Sequence, residues 1–244
     1  MGDDGLSIKA QGSVGADSGP GKEWQVKGTG DFDGDGVSDI LWQNSRTNAV
    51  YIWEIDGNNL GINAQGGVGS DTGPGEKWQV AGTGDFDGDG VSDILWQHKD
   101  TGAVYVWKID GKSLDIKEQG GVGSDEGPGE KWEVAGTGDF DGDGVSDILW
   151  RNKNTGAVYV WEIDGKNLGI KAQGGVGSDT GPGEKWEVKG TGDFDGDGKS
   201  DILWQNASSG GVYVWEIDDA LGIKAQGGVS GNLPGTSTDW HATV

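Results

Sequence analysis

Four short stretches of this sequence concentrate the side chains best able to do chemistry. The first runs Asp31-Phe32-Asp33-Gly34-Asp35-Gly36-Val37-Ser38-Asp39, with carboxylates at positions one, three, five and nine and glycine at four and six. The same order returns at Asp85, Asp87, Asp89, Val91 and Asp93, at Asp139, Asp141, Asp143, Val145 and Asp147, and at Asp193, Asp195, Asp197, Lys199 and Asp201. In a tight turn alternate residues point inward, so carboxylates one, three and five converge. Glycine at position six permits the sharp turn, and the carbonyl of residue seven (Val37, Val91, Val145 or Lys199) offers a neutral oxygen. The aspartate at position nine then closes the cage. Two carboxylates about 4 Å apart repel by roughly 4 kcal/mol at a surface-like dielectric. One acidic, glycine-rich turn is often merely solvated. Four that keep every aspartate at a fixed period call for a cation. Hard oxygen donors in this number suit calcium, whereas magnesium takes fewer protein ligands and more water. About four calcium ions are therefore expected, one per stretch, with folding dependent on them.

The elements that must carry these loops follow from one period. Trp24, Trp78, Trp132, Trp186 and Trp240 fall 54 residues apart, and three further series share that spacing. Within one period the pattern predicts four strands. Lys77 to Phe86 alternates Trp78 and Val80 with polar residues; the second strand, Ser92 to His98, follows the aspartate loop. The third is Ala103 to Ile109, and Asp110-Gly111 forms a hairpin-type turn into the fourth, Leu114 to Gly123. The link Gly123 to Glu130 is rich in Gly and Pro and breaks any helix. Four strands per unit with aromatic signposts predict an all-β propeller, each period one blade, in a single repeat domain spanning 1–244. A solenoid of β-coils has shorter periods and no long hairpins.

These loops are not EF-hands, because position twelve holds Trp42, Trp96, Trp150 or Trp204 instead of a bidentate glutamate. The stretches Gly30 to Trp42, Gly84 to Trp96, Gly138 to Trp150 and Gly192 to Trp204 instead resemble calcium-binding FG-GAP and VCBS-type repeats. Such repeats occur in integrin α-subunit propellers and in many secreted bacterial proteins. The resemblance implies a calcium-stabilised propeller with the loop between the first two strands of each blade. Propellers of that family usually have seven blades, and this sequence holds four complete periods.

Composition excludes several roles. A net charge of −23 with 41 acidic against 18 basic residues repels nucleic acid and anionic membranes. The longest apolar runs are five residues, as at Ala49 to Trp53, so none spans a bilayer. Absence of cysteine excludes disulfides and thiol chemistry. The opening MGDDGLSIKA has no basic region or apolar core, so no signal peptide is read in it, although calcium dependence predicts an extracellular setting and the resemblance implies a bacterial one. Only two histidines occur, His98 and His241, outside the periodic pattern, and no nucleophile elbow, HExxH or P-loop is found. The expectation is that the chain is not an enzyme.

Thirteen tryptophans must supply core area in a chain with 51 glycines. Trp42 and its equivalents follow Ile-Leu pairs and are expected to be packed; Trp53 and its equivalents lie on the third strand, whose alternation leaves room for one open ring face. Two roles remain: a structural or adhesive module engaging protein or its own copies, and a multivalent carbohydrate binder acting by avidity. First- and fourth-type strands occur five times each, against four of the others: the sequence opens on a fourth-type strand at Leu6 to Gly15 and a first-type strand around Trp24, and ends on a fourth-type strand at Leu221 to Ser230 and a first-type strand at Asp239 to Val244. The surplus has two readings: a homo-oligomer or filament, the C-terminal pair from Leu221 to Val244 replacing the pair from Leu6 to Gly30 in a neighbour, or a piece of a longer propeller.

Overall fold

The computed structural model describes residues 11–14, 19–69, 73–123, 127–177 and 181–229. It is a four-blade β-propeller, each blade an antiparallel four-stranded sheet in sequence order. Blade one comprises β1 (Trp24–Gly30), β2 (Asp39–Asn44), β3 (Val50–Ile55) and β4 (Ile62–Val68). Blade two comprises β5 (Trp78–Gly84), β6 (Asp93–His98), β7 (Val104–Asp110) and β8 (Asp115–Val122). Blade three follows with β9 (Trp132–Gly138), β10 (Asp147–Asn152), β11 (Val158–Asp164) and β12 (Gly169–Val176). Blade four closes the series with β13 (Trp186–Gly192), β14 (Asp201–Asn206), β15 (Val212–Ile217) and β16 (Ile223–Gly228).

The first strands line the middle, β1 against β5, β5 against β9 and β9 against β13. Close approach there demands glycine: a Cβ on Gly28 would lie 2.8 Å from Thr83 Cγ2, and one on Gly82 equally close to Thr137 Cγ2. The sheets repeat each other in register, and β1–β2 and β3–β4 each contain one irregularity, between Val26 and Gly28 and between Glu54 and Ile55.

The second and third strands alternate β-branched and aromatic residues that bury both faces, because each blade is covered by the next. Three cores result. The first joins Phe32, Leu41 and Ile52 of blade one to Ile94, Trp96 and Trp107 of blade two. The second and third repeat it between blades two and three and between blades three and four. Two hydrogen bonds recur at each junction. The Ser92, Ser146 and Ser200 N–H groups donate to the Asp31, Asp85 and Asp139 carbonyls. The Thr83, Thr137 and Thr191 hydroxyls donate to the Thr29, Thr83 and Thr137 carbonyls.

The third-to-fourth connection departs from the expected two-residue turn. Leu114 N–H donates to the Asp110 carbonyl at 2.9 Å, closing a longer turn in which Leu114 is left-handed, φ 56°. Leu60, Leu168 and Leu221 share that conformation. A left-handed leucine is costly, and burial holds it: Leu114 packs against Gly66 of the preceding blade, and Leu221 against Gly174. The tryptophans also differ from expectation. Those of the third strand, Trp53, Trp107, Trp161 and Trp215, are buried, and those of the first strand, Trp24, Trp78, Trp132 and Trp186, are half-exposed. Each half-exposed ring meets a third-strand tyrosine edge-on, as Trp24 does Tyr51 at 6.0 Å.

β1 and β16 complete their own blades. The additional strands read at Leu6 to Gly15 and Asp239 to Val244, with Trp240, lie outside the described residues apart from 11–14. Covering by the next blade makes burial position-dependent: Phe140 is 1% exposed and Phe194, its repeat equivalent in blade four, is 49% exposed. Phe140→Ala should therefore cost about 3–5 kcal/mol, and Phe194→Ala under about 1 kcal/mol in dilute protein, measured by chemical denaturation. Equal losses would contradict this packing.

Candidate metal centre

Each loop joins the first two strands of its blade and is folded by its own carboxylates. In blade two, Asp85 Oδ1 accepts the N–H groups of Gly88 (2.7 Å) and Asp89 (3.2 Å), and Oδ2 accepts that of Gly90 (2.8 Å). Gly88 and Gly90 both have positive φ, as this wrapping of the chain around a carboxylate requires. Asp31, Asp139 and Asp193 repeat the arrangement. The residue at position seven donates its N–H to the position-five carboxylate in all four loops: Val37 to Asp35, Val91 to Asp89, Val145 to Asp143 and Lys199 to Asp197.

The position-nine aspartate does the most structural work. Asp93 is 1% exposed; its Oδ2 accepts Phe86 N–H and its Oδ1 accepts Ile109 N–H, both at 2.9 Å. It therefore staples the loop to the third strand. Asp39, Asp147 and Asp201 bridge the same pair of positions in their blades.

Carboxylate oxygens gather within 4.8 Å in every blade. The groups are Asp31, Asp33 and Asp39; Asp85, Asp87 and Asp93; Asp139, Asp141 and Asp147; and Asp193, Asp195 and Asp197. Position five thus joins the cluster in blade four, where position nine stands apart; in the other blades Asp35, Asp89 and Asp143 sit outside it. Burial raises the carboxyl pKa of Asp93 and Asp147 to about 7, against the backbone hydrogen bonds and with help from the neighbouring aspartates. Asp39 and Asp201 are also raised, chiefly by burial. The two largest shifts fall in the two blades that have a blade packed on either side.

Several participants lie outside the loop motif. Glu54 and Glu162 are buried on the third strand, and burial together with Asp33 or Asp141 raises their carboxyls. Lys108 takes their place in blade two, 3% exposed, with Nζ 3.3 Å from Glu118 and 3.8 Å from Asp87. From the fourth strand, Lys117 Nζ reaches Asp87 (3.1 Å) and Asp89 (2.5 Å). Lys171 pairs with Asp141 and Asp143, and Lys224 with Asp195 and Asp197. Asn63 holds this position in blade one. Only the strand-four register brings these lysines to the loops, and nothing in the loop motif announces them.

The donor set fits a hard cation. Its atoms are all oxygens, three carboxylates converge, and ammonium groups are already drawn to three of the clusters. Asp87 Oδ1 is buried without a hydrogen-bond partner, the kind of acceptor that a cation satisfies.

The chain belongs to the FG-GAP-like repeat family, whose model matches residues 31–96, 85–150 and 139–204. No curated protein matches the sequence. Among solved structures, a Bacillus licheniformis rhamnogalacturonan lyase is similar at 17% identity and TM-score 0.43, over 80% of this chain and 47% of the lyase. An exotype rhamnogalacturonan lyase is similar at 16% identity and TM-score 0.41, over 80% and 45%. A Trichoderma reesei protein of Carbohydrate-Active Enzymes Family AA12 is similar at 11% identity and TM-score 0.31, over 87% and 52%. The chain spans about half the length of each. The expectation of no enzymatic activity is corrected by these comparisons, since the similar structures are two lyases and a member of a carbohydrate-active enzyme family. At these scores the likenesses assign no activity to this chain. No helix among the described residues is long and apolar enough to cross a membrane.

The raised carboxyls give a signed pH dependence. With a folded pKa of about 7 against an ordinary 3.8, Asp93 and Asp147 bind more protons folded than unfolded across that window. Their contribution to stability in metal-free protein is present below pH 4 and lost as pH rises toward 7. Carbon-13 NMR of the side-chain carboxyls in chelator should show both titrating near 7, and a bound divalent cation should bring them below about 4. Midpoints near 4 in chelator would contradict this.

Proposed function

We propose that this chain is a calcium-stabilised propeller that binds carbohydrate at repeated, aromatic-walled clefts. One observation carries the carbohydrate reading. Blades one and four have a cleft at matching repeat positions, lined by Pro20, Trp24, Tyr51, Trp53 and Gln65 in one and by Pro182, Trp186, Tyr213, Trp215 and Gln226 in the other. The cleft in blade four encloses about 500 Å³, and that in blade one about 250 Å³. A sugar ring presents C–H bonds on its face and hydroxyls at its edge. The half-exposed tryptophan supplies a flat apolar surface for the face, and the glutamine carries both a donor and an acceptor for the edge. The matching residues stand in all four blades, at Trp78, Tyr105, Trp107 and Gln119 and at Trp132, Tyr159, Trp161 and Gln173. Repetition lets weak sites act together on a polymer.

Calcium is the metal that this donor set supports best. The carboxylates of positions one, three, five and nine would hold it, with the carbonyls of Val37, Val91, Val145 and Lys199 as neutral ligands. Bound calcium supplies charge compensation, and the chain supplies a loop already wrapped around its first aspartate. Such sites suit calcium-rich surroundings, which supports an extracellular setting.

A glycan array probed in calcium and in chelator, followed by calorimetry, tests the reading. Wild-type chain should bind plant or microbial polysaccharide in calcium, and Trp186→Ala with Trp24→Ala should lower affinity about tenfold or more while the variant still melts cooperatively, at a lower melting temperature because Trp186 packs on Tyr213 and on the core between blades three and four. Calcium itself should raise that temperature by roughly ten degrees or more. No glycan retained, or affinity indifferent to both tryptophans, would overturn the carbohydrate role. Identical melting in calcium and chelator would overturn the calcium role.

A further inference from the structure

Among the described residues the three inter-blade cores leave two faces uncovered, and the faces match. On blade four, Phe194 is 49% exposed and Leu203 half-buried, whereas Phe32, Phe86 and Phe140, and Leu41, Leu95 and Leu149, are covered by the following blade. On blade one, Val26 is 54% exposed and Ile40 and Trp42 are half-buried. Their equivalents Ile94, Ile148 and Ile202, and Trp96, Trp150 and Trp204, are fully buried against the preceding blade. Among the described residues no core joins blade four to blade one.

Polar groups at these faces match as well. The Ser and Thr donors used at the three junctions have equivalents on blade one, the Ser38 N–H and the Thr29 hydroxyl. The acceptors have equivalents on blade four, the Asp193 and Thr191 carbonyls. Neither donor makes the inter-blade bond its equivalents make.

We infer that the blade-four face of one molecule docks on the blade-one face of a second copy of this chain, head to tail, continuing the inter-blade packing. The occupant is argued from that continuity. The surface complementary to blade four in shape, apolar pattern and hydrogen bonding is the one that covers blades one, two and three, and blade one presents it. The two faces differ, so the contact is heterologous. It closes a ring if the rotation closes and grows a filament otherwise. Fit of an apolar face of core residues favours association, and the net charge of −23 opposes it, so added salt should strengthen the pairing.

This proposal stands apart from the carbohydrate reading. It is tested by sedimentation velocity of the full chain in calcium, with Phe194→Asp and Ile40→Asp, each checked for wild-type circular dichroism. The wild-type chain should gain mass with concentration, and each variant alone should stay monomeric. Their mixture should form a one-to-one dimer that grows no further, because Phe194→Asp retains an intact blade-one face and Ile40→Asp an intact blade-four face. Should Ile40→Asp disturb blade one, Val26→Asp, on the same face and already exposed, replaces it. A monomeric wild type at high concentration, association untouched by both variants, or a mixture that fails to pair would overturn the proposal. Monomeric wild type with hydrogen-exchange protection of Phe194 that vanishes on deleting 230–244 would assign the face to the chain's own terminal segment instead.

Discussion

A buried carboxylate holding two backbone N–H groups is the interaction on which each blade depends. Asp93 ties Phe86, in the loop after the first strand, to Ile109, at the end of the third. Its equivalents do so in every blade. The bond seats the loop phenylalanine into the junction with the next blade, so the same aspartate that shapes the loop also fixes part of the inter-blade core. The cost is a charge removed from water. Two good hydrogen bonds offset only part of it, and Asp85 and Asp87 add negative charge beside it. Either a proton or a cation must complete the balance. The raised carboxyl of Asp93 and the lysines drawn toward the clusters express the same deficit.

The second constraint is that no blade buries its own hydrophobic face. Leu, Ile and Trp of the second and third strands are covered by a neighbour, and the residues that cover them are the same types one period later. Such a fold behaves as a one-dimensional array in which stability resides in the junctions. Glycine at the central strands and leucine in a left-handed turn are consequences of this stacking. Gly28 yields room to Thr83, and Leu114 is held left-handed by the surface it meets on blade one. The first-strand tryptophans, the aspartate loops and the junctions are thereby repeated together.

Much of this was legible in the chain. The spacing of Trp24, Trp78, Trp132 and Trp186, the strand pattern between them, and the position of the aspartate loops identify the blades, because each signal is local and repeats. What was not legible depends on distance across sheets. Lys117 and Lys171 meet the loops only through the register of the fourth strand, and Lys108 is paired with Asp87 through a position that holds glutamate in the other blades. Alternation on the third strand leaves room for one open ring face, but the preceding blade covers Trp107, Trp161 and Trp215. The exposed rings are on the first strand, where the half-open cleft lies.

Calcium stoichiometry by native mass spectrometry tests the central claim, that the four aspartate loops require a cation to balance their converging carboxylates. Chelator-stripped chain titrated with calcium should take up four ions, and Asp85→Asn with Asp87→Asn should reduce the count to three. A chain that binds no calcium, or one whose count is unchanged by those substitutions, would contradict the account.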